Sequence, residues 1–575
     1  MQQAARRSEY EYKTSDQSGS QYGNLTQITE LYWNPAQNAW NKYRLTRTQY
    51  YPRVDSSRYL VGFPGFTNIH RCPNNACDLV ASTLIGQKLY IYDNYAYTTS
   101  AYAVPPTQGR LTILRSFIGF PDNNPANPNQ YYDELYYYDN WGNPVRTKAY
   151  TQNGTPDSLA NNGLQLTSTC FGSPTTELPD CADDGYRTYP AWSRNAVNQT
   201  TTWEYNKRIS QPLKMSDPNN ATTTWTYDAF GRRTSERLPG DETGSPTTQI
   251  AYYDSEFPGF PYLIGVWHKL QASTQYAERF FYDGLGRLVQ HHSAAAEVNG
   301  VSKDIITDYK YNANDQVIWQ TASYETTPYA GGGSTSPYLT QNHFSSDRTT
   351  ITTYDAYGRT LAVNFPDPDP TTLQYEYDGL SVFAKDQAGN WTETDKDVWG
   401  RVVTVKPLTG RMGSNLDNLT IFYNYDEKDQ LTSVTQGNAT SNTSLTMITY
   451  DLGGRKTRMT DNDMGIWTYQ YDALGNLKRQ VDARNCATDI AYDLLNRPVS
   501  KTFSGAGCVA TNTINYGYDS GSNGIGHRTS MLDGSGATTW SYDPRGRMTQ
   551  QIKVINGSGS FLTQWGYYSN DALWY

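Results

Sequence analysis

Residues 467–500 read WTYQYDALGNLKRQVDARNCATDIAYDLLNRPVS, and this stretch decides the fold. It holds one unit and the start of the next. Trp467, Tyr469 and Tyr471 alternate with other residues, the period of one face of a β-strand. Asp472 follows, then two residues, then Gly475. Asp suits the first position of a type I turn, because its carboxylate accepts a local backbone hydrogen bond. Gly three residues later suits the left-handed position that closes a hairpin with a bulge. After 21 residues the signature returns as Tyr492 and Asp493, with Asn496 in the Gly place. Asn tolerates the same backbone region.

Working outward, the signature recurs along the chain. Clear copies are Tyr227-Asp228 with Gly231 and Arg232, Tyr282-Asp283 with Gly286 and Arg287, Tyr354-Asp355 with Gly358 and Arg359, and Tyr542-Asp543 with Gly546 and Arg547. Others begin at Tyr377, Tyr425, Tyr450 and Tyr518, and weaker ones at Tyr138, Tyr205, Tyr253, Tyr311 and Lys396. Most steps after Tyr205 span 19 to 29 residues; the step from Tyr311 to Tyr354 is 43, and its excess holds YAGGGS at 329–334, read as a loop insertion. A period in this range signals a repeat architecture and overrides a domain count taken from length. Each copy reads as a β-hairpin, and successive hairpins should continue one long, twisted antiparallel sheet. The fold class expected is all-β.

Composition separates a packed core from a shell. Tyr accounts for 49 of 575 residues, yet hydrophobic residues make up only 37% and the mean hydropathy is −0.72. A solid β core would need far more Val, Ile and Leu. Tyr and Trp have an apolar body and a polar tip, and so can line a half-wet surface. A sheet of this many hairpins cannot stay flat, because strand twist makes it curl or close.

The Y-x-Y-D-x-x-G-R pattern at this period resembles the RHS/YD-repeat family, which includes bacterial Rhs proteins, the BC component of insecticidal Tc toxins and the YD shell of teneurins. The resemblance is specific from Tyr205 to Tyr575. It is looser over the first 200 residues, where YGNLT (22–26), YLVGFP (59–64), YIYD (90–93) and PPTQGRLT (105–112) carry it. It implies a spiralling, curled β-sheet that builds part of a hollow, cocoon-like shell. In toxin members such a shell encloses a variable C-terminal effector, released by aspartyl self-cleavage beside a D-P-x-G-L-like core motif. That motif is not found here, so effector and self-cleavage are not carried over. The chain reads as a fragment lacking the C-terminal core and effector.

In chain order, residues 1–200 read as an irregular Tyr-rich β region continuous with the shell, with 151–200 as a long loop. Residues 201–575 read as the regular repeats, with no separate effector domain. PDNNPANP at 121–128 reads as a turn. No secretory leader follows Arg6-Arg7, and no apolar run reaches the ~18–20 residues of a membrane helix. The six cysteines fall into local pairs, Cys72/Cys77, Cys170/Cys181 and Cys486/Cys508, a pattern that favours disulfides in an oxidising compartment, so a secreted or cell-surface protein. Free thiols are the alternative. Zinc on these cysteines with His70 lacks a second CxxC or HxxxH.

The net charge is −9, with Arg and Asp dispersed through the turns. The absence of a basic stripe argues against nucleic-acid binding. Pairs of the Asp228/Arg232 kind read as solvated turn charges, worth about 0–1 kcal/mol where they pair. No HExxH, GxSxG, P-loop or GxGxxG motif is present, and no cofactor is implied. His291-His292 reads as a solvent-facing pair, and DNDMG at 461–465 as an acidic turn without the later ligands of a calcium loop. A residue that recurs more than ten times is explained by fold, not catalysis, so the chain is not read as an enzyme. The leading expectation is a structural shell module whose partners are a C-terminal toxin cargo or further shell segments. The alternative is a surface recognition protein that binds carbohydrate or another protein through aromatic faces.

Overall fold

The computed structural model describes residues 5–13, 24–34, 36–51, 62–80, 83–95, 97, 106–119, 130–150, 152–155, 158–159, 164–253, 262–271, 274–298, 301–326, 344–345, 348–366, 372–410, 419–438, 441–509 and 512–575. The turn expected at 121–128 and the loop expected at 329–334 lie outside these residues.

Among the described residues, the strands from Arg6–Lys13 to Gly559–Gln564 form one antiparallel sheet of 40 strands, not closed into a barrel. Strands bond their neighbours in sequence; Val301–Tyr311 bonds two successors, Val317–Thr321 and Tyr324–Thr326, along one side. Among the described residues the single helical turn is Pro73–Asn75.

Each repeat hairpin is closed as its residues dictate. The Asp472 carbonyl accepts from Gly475 N at 3.2 Å, and Asp472 N donates to Asn476 O at 2.9 Å. Pairing slips by one residue between Gln470 and Tyr471, which is the bulge. Gly475 stands at φ +86° and Asn496 at +60°, the left-handed region that other side chains avoid.

The first 200 residues lie in the same sheet. Within 151–200, expected as loop, two strands form instead: Leu164–Cys170 bonds both Pro144–Tyr150 and Trp192–Arg194. The reason lies in LQLTSTC, which alternates Leu164 and Leu166 with polar residues. Its Thr residues favour strand, and the Gly- and Asn-rich flanks had masked that pattern.

Little of the wall is a dry core. One apolar cluster is Ile91, Ile113 and Leu135; a second is Val145, Cys170, Leu178 and Cys181. Further along, the aromatic face of Gly465–Tyr471 is half-buried and the alternate positions are exposed. Cations cover these rings: Lys456 over Tyr469 at 4.4 Å and Arg528 over Trp540 at 4.5 Å.

The ribbon winds back onto itself. The repeat turns lie along one edge of the sheet, here the upper edge, and the opposite connections along the lower edge. Contacts at separations of about 300 to 385 residues join the upper edge of the second winding to the lower edge of the first. Trp399 packs on Tyr43 with centroids 4.1 Å apart and the rings tilted by 35°, and the Tyr43 hydroxyl donates to Asp426 O at 2.5 Å. Gln165 Nε2 donates to Leu494 O at 2.6 Å, and Asn219 exchanges two 2.9 Å hydrogen bonds with the Ile525 backbone. Arg545 Nε donates to Pro239 O at 2.8 Å. The observed fold is therefore a spiralling sheet.

A Cβ built on Gly286 meets nothing within 4 Å, while its φ is +77°. Gly286→Ala should therefore cost only the backbone strain, about 1–2 kcal/mol. Asn496→Gly keeps the backbone region but loses the 2.9 Å hydrogen bond that Asn476 Nδ2 donates to Asn496 Oδ1, and should cost about 0.5–1.5 kcal/mol. Denaturant midpoints of the two variants against the parent measure both.

Candidate functional site

The repeated residues build a lattice along the upper edge. In most repeats the Tyr of the turn points back along the ribbon and donates its hydroxyl to a carbonyl at the start of the preceding return strand. Tyr227 reaches Pro212 O at 2.8 Å, Tyr354 Val317 O at 2.9 Å, Tyr471 Lys456 O at 2.9 Å, Tyr492 Leu477 O at 3.0 Å and Tyr542 Arg528 O at 2.6 Å. Tyr282 packs on Tyr262 with centroids 5.2 Å apart.

Asp holds its own turn. One Asp228 oxygen accepts from Phe230 N and Arg232 N, both at 2.9 Å, and the other accepts from Arg232 Nε at 2.7 Å. Asp283 with Arg287, Asp355 with Arg359, Asp493 with Arg497 and Asp543 with Arg547 repeat this geometry. At Asp472, Asn476 takes the Arg place, with Nδ2 at 3.0 Å.

Arg then reaches forward. Arg232 lies over the Tyr252 ring at 4.3 Å, Arg359 over Tyr377 at 4.1 Å and Arg547 over Tyr567 at 4.8 Å. Arg287 donates to Asp315 at 2.9 Å, and Arg497 grips Asp519 through two bonds of 2.9 and 2.7 Å. The turn charges expected to be solvated are thus joined from repeat to repeat.

Burial raises the Asp283 pKa, but the Arg287 backbone and side-chain hydrogen bonds outweigh it and hold the carboxyl below its ordinary range. The Arg497 side chain does the same for Asp519. On Tyr43, burial outweighs the Arg401 contact and pushes the phenol up to about 12.

The six cysteines form three disulfides, Cys72–Cys77, Cys170–Cys181 and Cys486–Cys508. His70 hydrogen-bonds Thr83 through Nδ1 at 3.1 Å. Asp461 accepts from the backbone N of Asp463 and Met464, so its carboxylate serves the turn between Lys456–Asp461 and Gly465–Tyr471. Among the described residues no group of three metal-ligating side chains converges.

The expectation of a solvent-facing His291-His292 pair fails. Neighbours in a strand point to opposite faces. His291 stacks on Phe280, whereas His292 is buried and hydrogen-bonds Gln290 at 2.7 Å. Burial first, then the charge of Arg279, lowers the His292 pKa to about 3.

Sequence reasoning also missed the buried polar clusters. Arg115 and Asp133 pair at 2.7 Å with both side chains fully buried. Gln290 and Tyr324 both donate to buried Asp308. Between the windings, Asp241 binds Lys269 at 2.7 Å and Arg545 at 2.6 Å, all three buried. No motif marks them; their one sequence signal is two-residue spacing, as in Gln290/His292 and Asp304/Ile306/Asp308.

Asp241→Asn should leave buried Lys269 without a counter-charge and Arg545 with Asp571 alone at 3.2 Å, and cost about 3–5 kcal/mol, read from chemical denaturation. Acid acts in two windows. Unfolded His292 takes up a proton below its ordinary 6.5, whereas folded His292 does so only near 3. Stability therefore falls as pH drops through that interval. The turn aspartates, depressed in the fold, contribute fully above the ordinary 3.8 and lose that contribution at lower pH. Melting temperatures of His292→Gln should lose part of the slope between pH 6.5 and 4, the rest coming from His70, which burial also holds below its ordinary value, and keep the fall below pH 4.

The RHS Repeat family matches residues 210–243. No curated protein matches the sequence. Among solved structures, the crystal structure of TcdB2-TccC3 shares 14% identity and a TM-score of 0.76, over 99% of this chain and 35% of that one. A Photorhabdus luminescens Tc holotoxin pore with a substituted TccC3 gives 12% identity and 0.75, over 99% and 36%. TcdB2-TccC3 without its hypervariable C-terminal region gives 12% and 0.65, over 99% and 39%. The chain spans a little over a third of the length of these proteins, and at such identity the likeness is one of fold. Residues 210–243 thus match the RHS Repeat model, and over 99% of its length the chain shares the spiralling-sheet fold of the TcdB2-TccC3 structure.

Proposed function

We propose that this chain is a wall of a hollow, toxin-type shell that encloses a polypeptide cargo outside the cell of origin or on its surface. Residues 1–200 begin the first winding, and residues 201–575 continue it as regular repeats within one assembly. The role is structural, not catalytic: the recurring Tyr, Asp and Arg are consumed in holding one hairpin to the next.

The observation that carries this reading is the return of the ribbon onto its own lower edge. Stacked windings of one sheet make a wall with two faces, and the match to TcdB2-TccC3 extends over 99% of the chain. Three disulfides support a location in an oxidising compartment. Electron microscopy or small-angle scattering of the purified chain tests the reading. A curved wall around a void is expected; a solid particle or an extended rod would overturn it.

A further inference from the structure

Where the two windings meet, the described residues enclose a cavity of about 490 Å³. Its floor is first-winding strand: Ile69 from Pro64–Arg71, Lys88 from Leu84–Tyr92, and Phe117 and Ile118 from Leu111–Gly119. Its roof is second-winding turn: Lys428 from the turn after Tyr425, Leu452 and Arg455 from the turn after Tyr450, and Leu474 from the turn after Tyr471. Beside it the windings touch, since a Cβ built on Gly453 would stand 3.3 Å from Ile118 Cγ2. A volume of this size is that of a small-molecule site.

The lining combines carbon with positive charge. Ile69, Phe117, Ile118, Leu452 and Leu474 supply apolar walls, and Lys88, Lys428 and Arg455 supply three cations. Among the described residues no Asp or Glu lines the cavity, in a chain whose net charge is −9. Arg455 is already engaged: its Nε donates to Asp451 at 2.7 Å and its Nη1 to Asp472 O at 2.8 Å. Lys428 keeps capacity in hand. Its Nζ donates to Leu452 O at 2.6 Å, which uses one of three protons, and among the described residues it makes no ion pair. Burial lowers the Lys428 pKa below the ordinary lysine value, against the pull of Asp426 and Asp451. A half-buried ammonium short of a counter-charge, set among apolar walls, is complementary to an anion with an apolar body.

We propose that this seam cavity binds a free amphiphilic carboxylate, a single apolar chain ending in one acid group, with the carboxylate on Lys428 Nζ and the chain against Ile69, Phe117, Ile118 and Leu474. Such a ligand touches floor and roof together, so it ties the second winding to the first. The site belongs to the seam and does not depend on what the wall encloses.

Isothermal titration calorimetry of the whole chain reads the outcome with three probes. Decanoate should bind one to one and raise the melting temperature. Decanol, with the same tail and no charge, should bind about ten- to a hundredfold more weakly, the worth of one charged hydrogen bond. Acetate, with the charge and no tail, should give no measurable binding. Lys428→Met keeps the stem and removes the charge, and should bring decanoate down to the affinity of decanol, whereas Lys428→Arg should retain binding. Should Lys428→Met fail to fold, the three probes on the parent chain decide alone. Equal affinity for decanoate and decanol, uptake that never saturates, or undiminished binding of decanoate to folded Lys428→Met each overturns the proposal.

Discussion

The structure depends on one hydrogen bond made again and again: a tyrosine hydroxyl to the first carbonyl of the preceding return strand. A hairpin alone is marginal in water. Here most hairpins are tied backward by their Tyr, and those that end the turn in Arg are tied forward by it, the same Arg closing its own Asp turn. Tyr492 on Leu477 and Arg497 on Asp519 show both directions within one unit. The side chain that holds the turn is the one that holds the next repeat, so turn geometry and sheet continuation cannot be separated.

That economy explains how the wall stands with so small a core. Apolar clusters such as Ile91, Ile113 and Leu135 are few, and buried polar side chains are as prominent among the described residues. The carboxylates among those polar groups are matched. Asp133 faces Arg115, Asp308 accepts from Gln290 and Tyr324, and Asp241 holds two cations. A matched buried ion adds less net stability than an apolar replacement would, but it tolerates only one arrangement of its partners. At Asp241 that selectivity falls on the alignment of two windings.

Much of this was legible in the sequence, because the repeat is local. Period-two aromatics, Asp at the turn start and Gly or Asn at the left-handed position are each short-range requirements, and the chain states them repeatedly. Tertiary partners are not local. Nothing around Trp399 announces Tyr32 and Tyr43, more than three hundred residues earlier. The buried side of His292 was hidden for a different reason: adjacent residues in a strand part to opposite faces, and a doublet written side by side suggests a pair. The strands at Leu164–Cys170 and Trp192–Arg194 were obscured by Gly- and Asn-rich surroundings, where composition spoke louder than alternation.

The seat that Tyr32 and Tyr43 offer to Trp399 also sets an order of events in time. Hairpins close within a few tens of residues and can form as the chain emerges, whereas this seat stays empty until about 350 further residues have been made. Closing so long a segment is entropically dear and slow compared with a hairpin. The first winding must therefore exist for a while as an open ribbon with its aromatic acceptor uncovered. The wall is thus completed in one direction, the second winding settling on an edge that was finished before it.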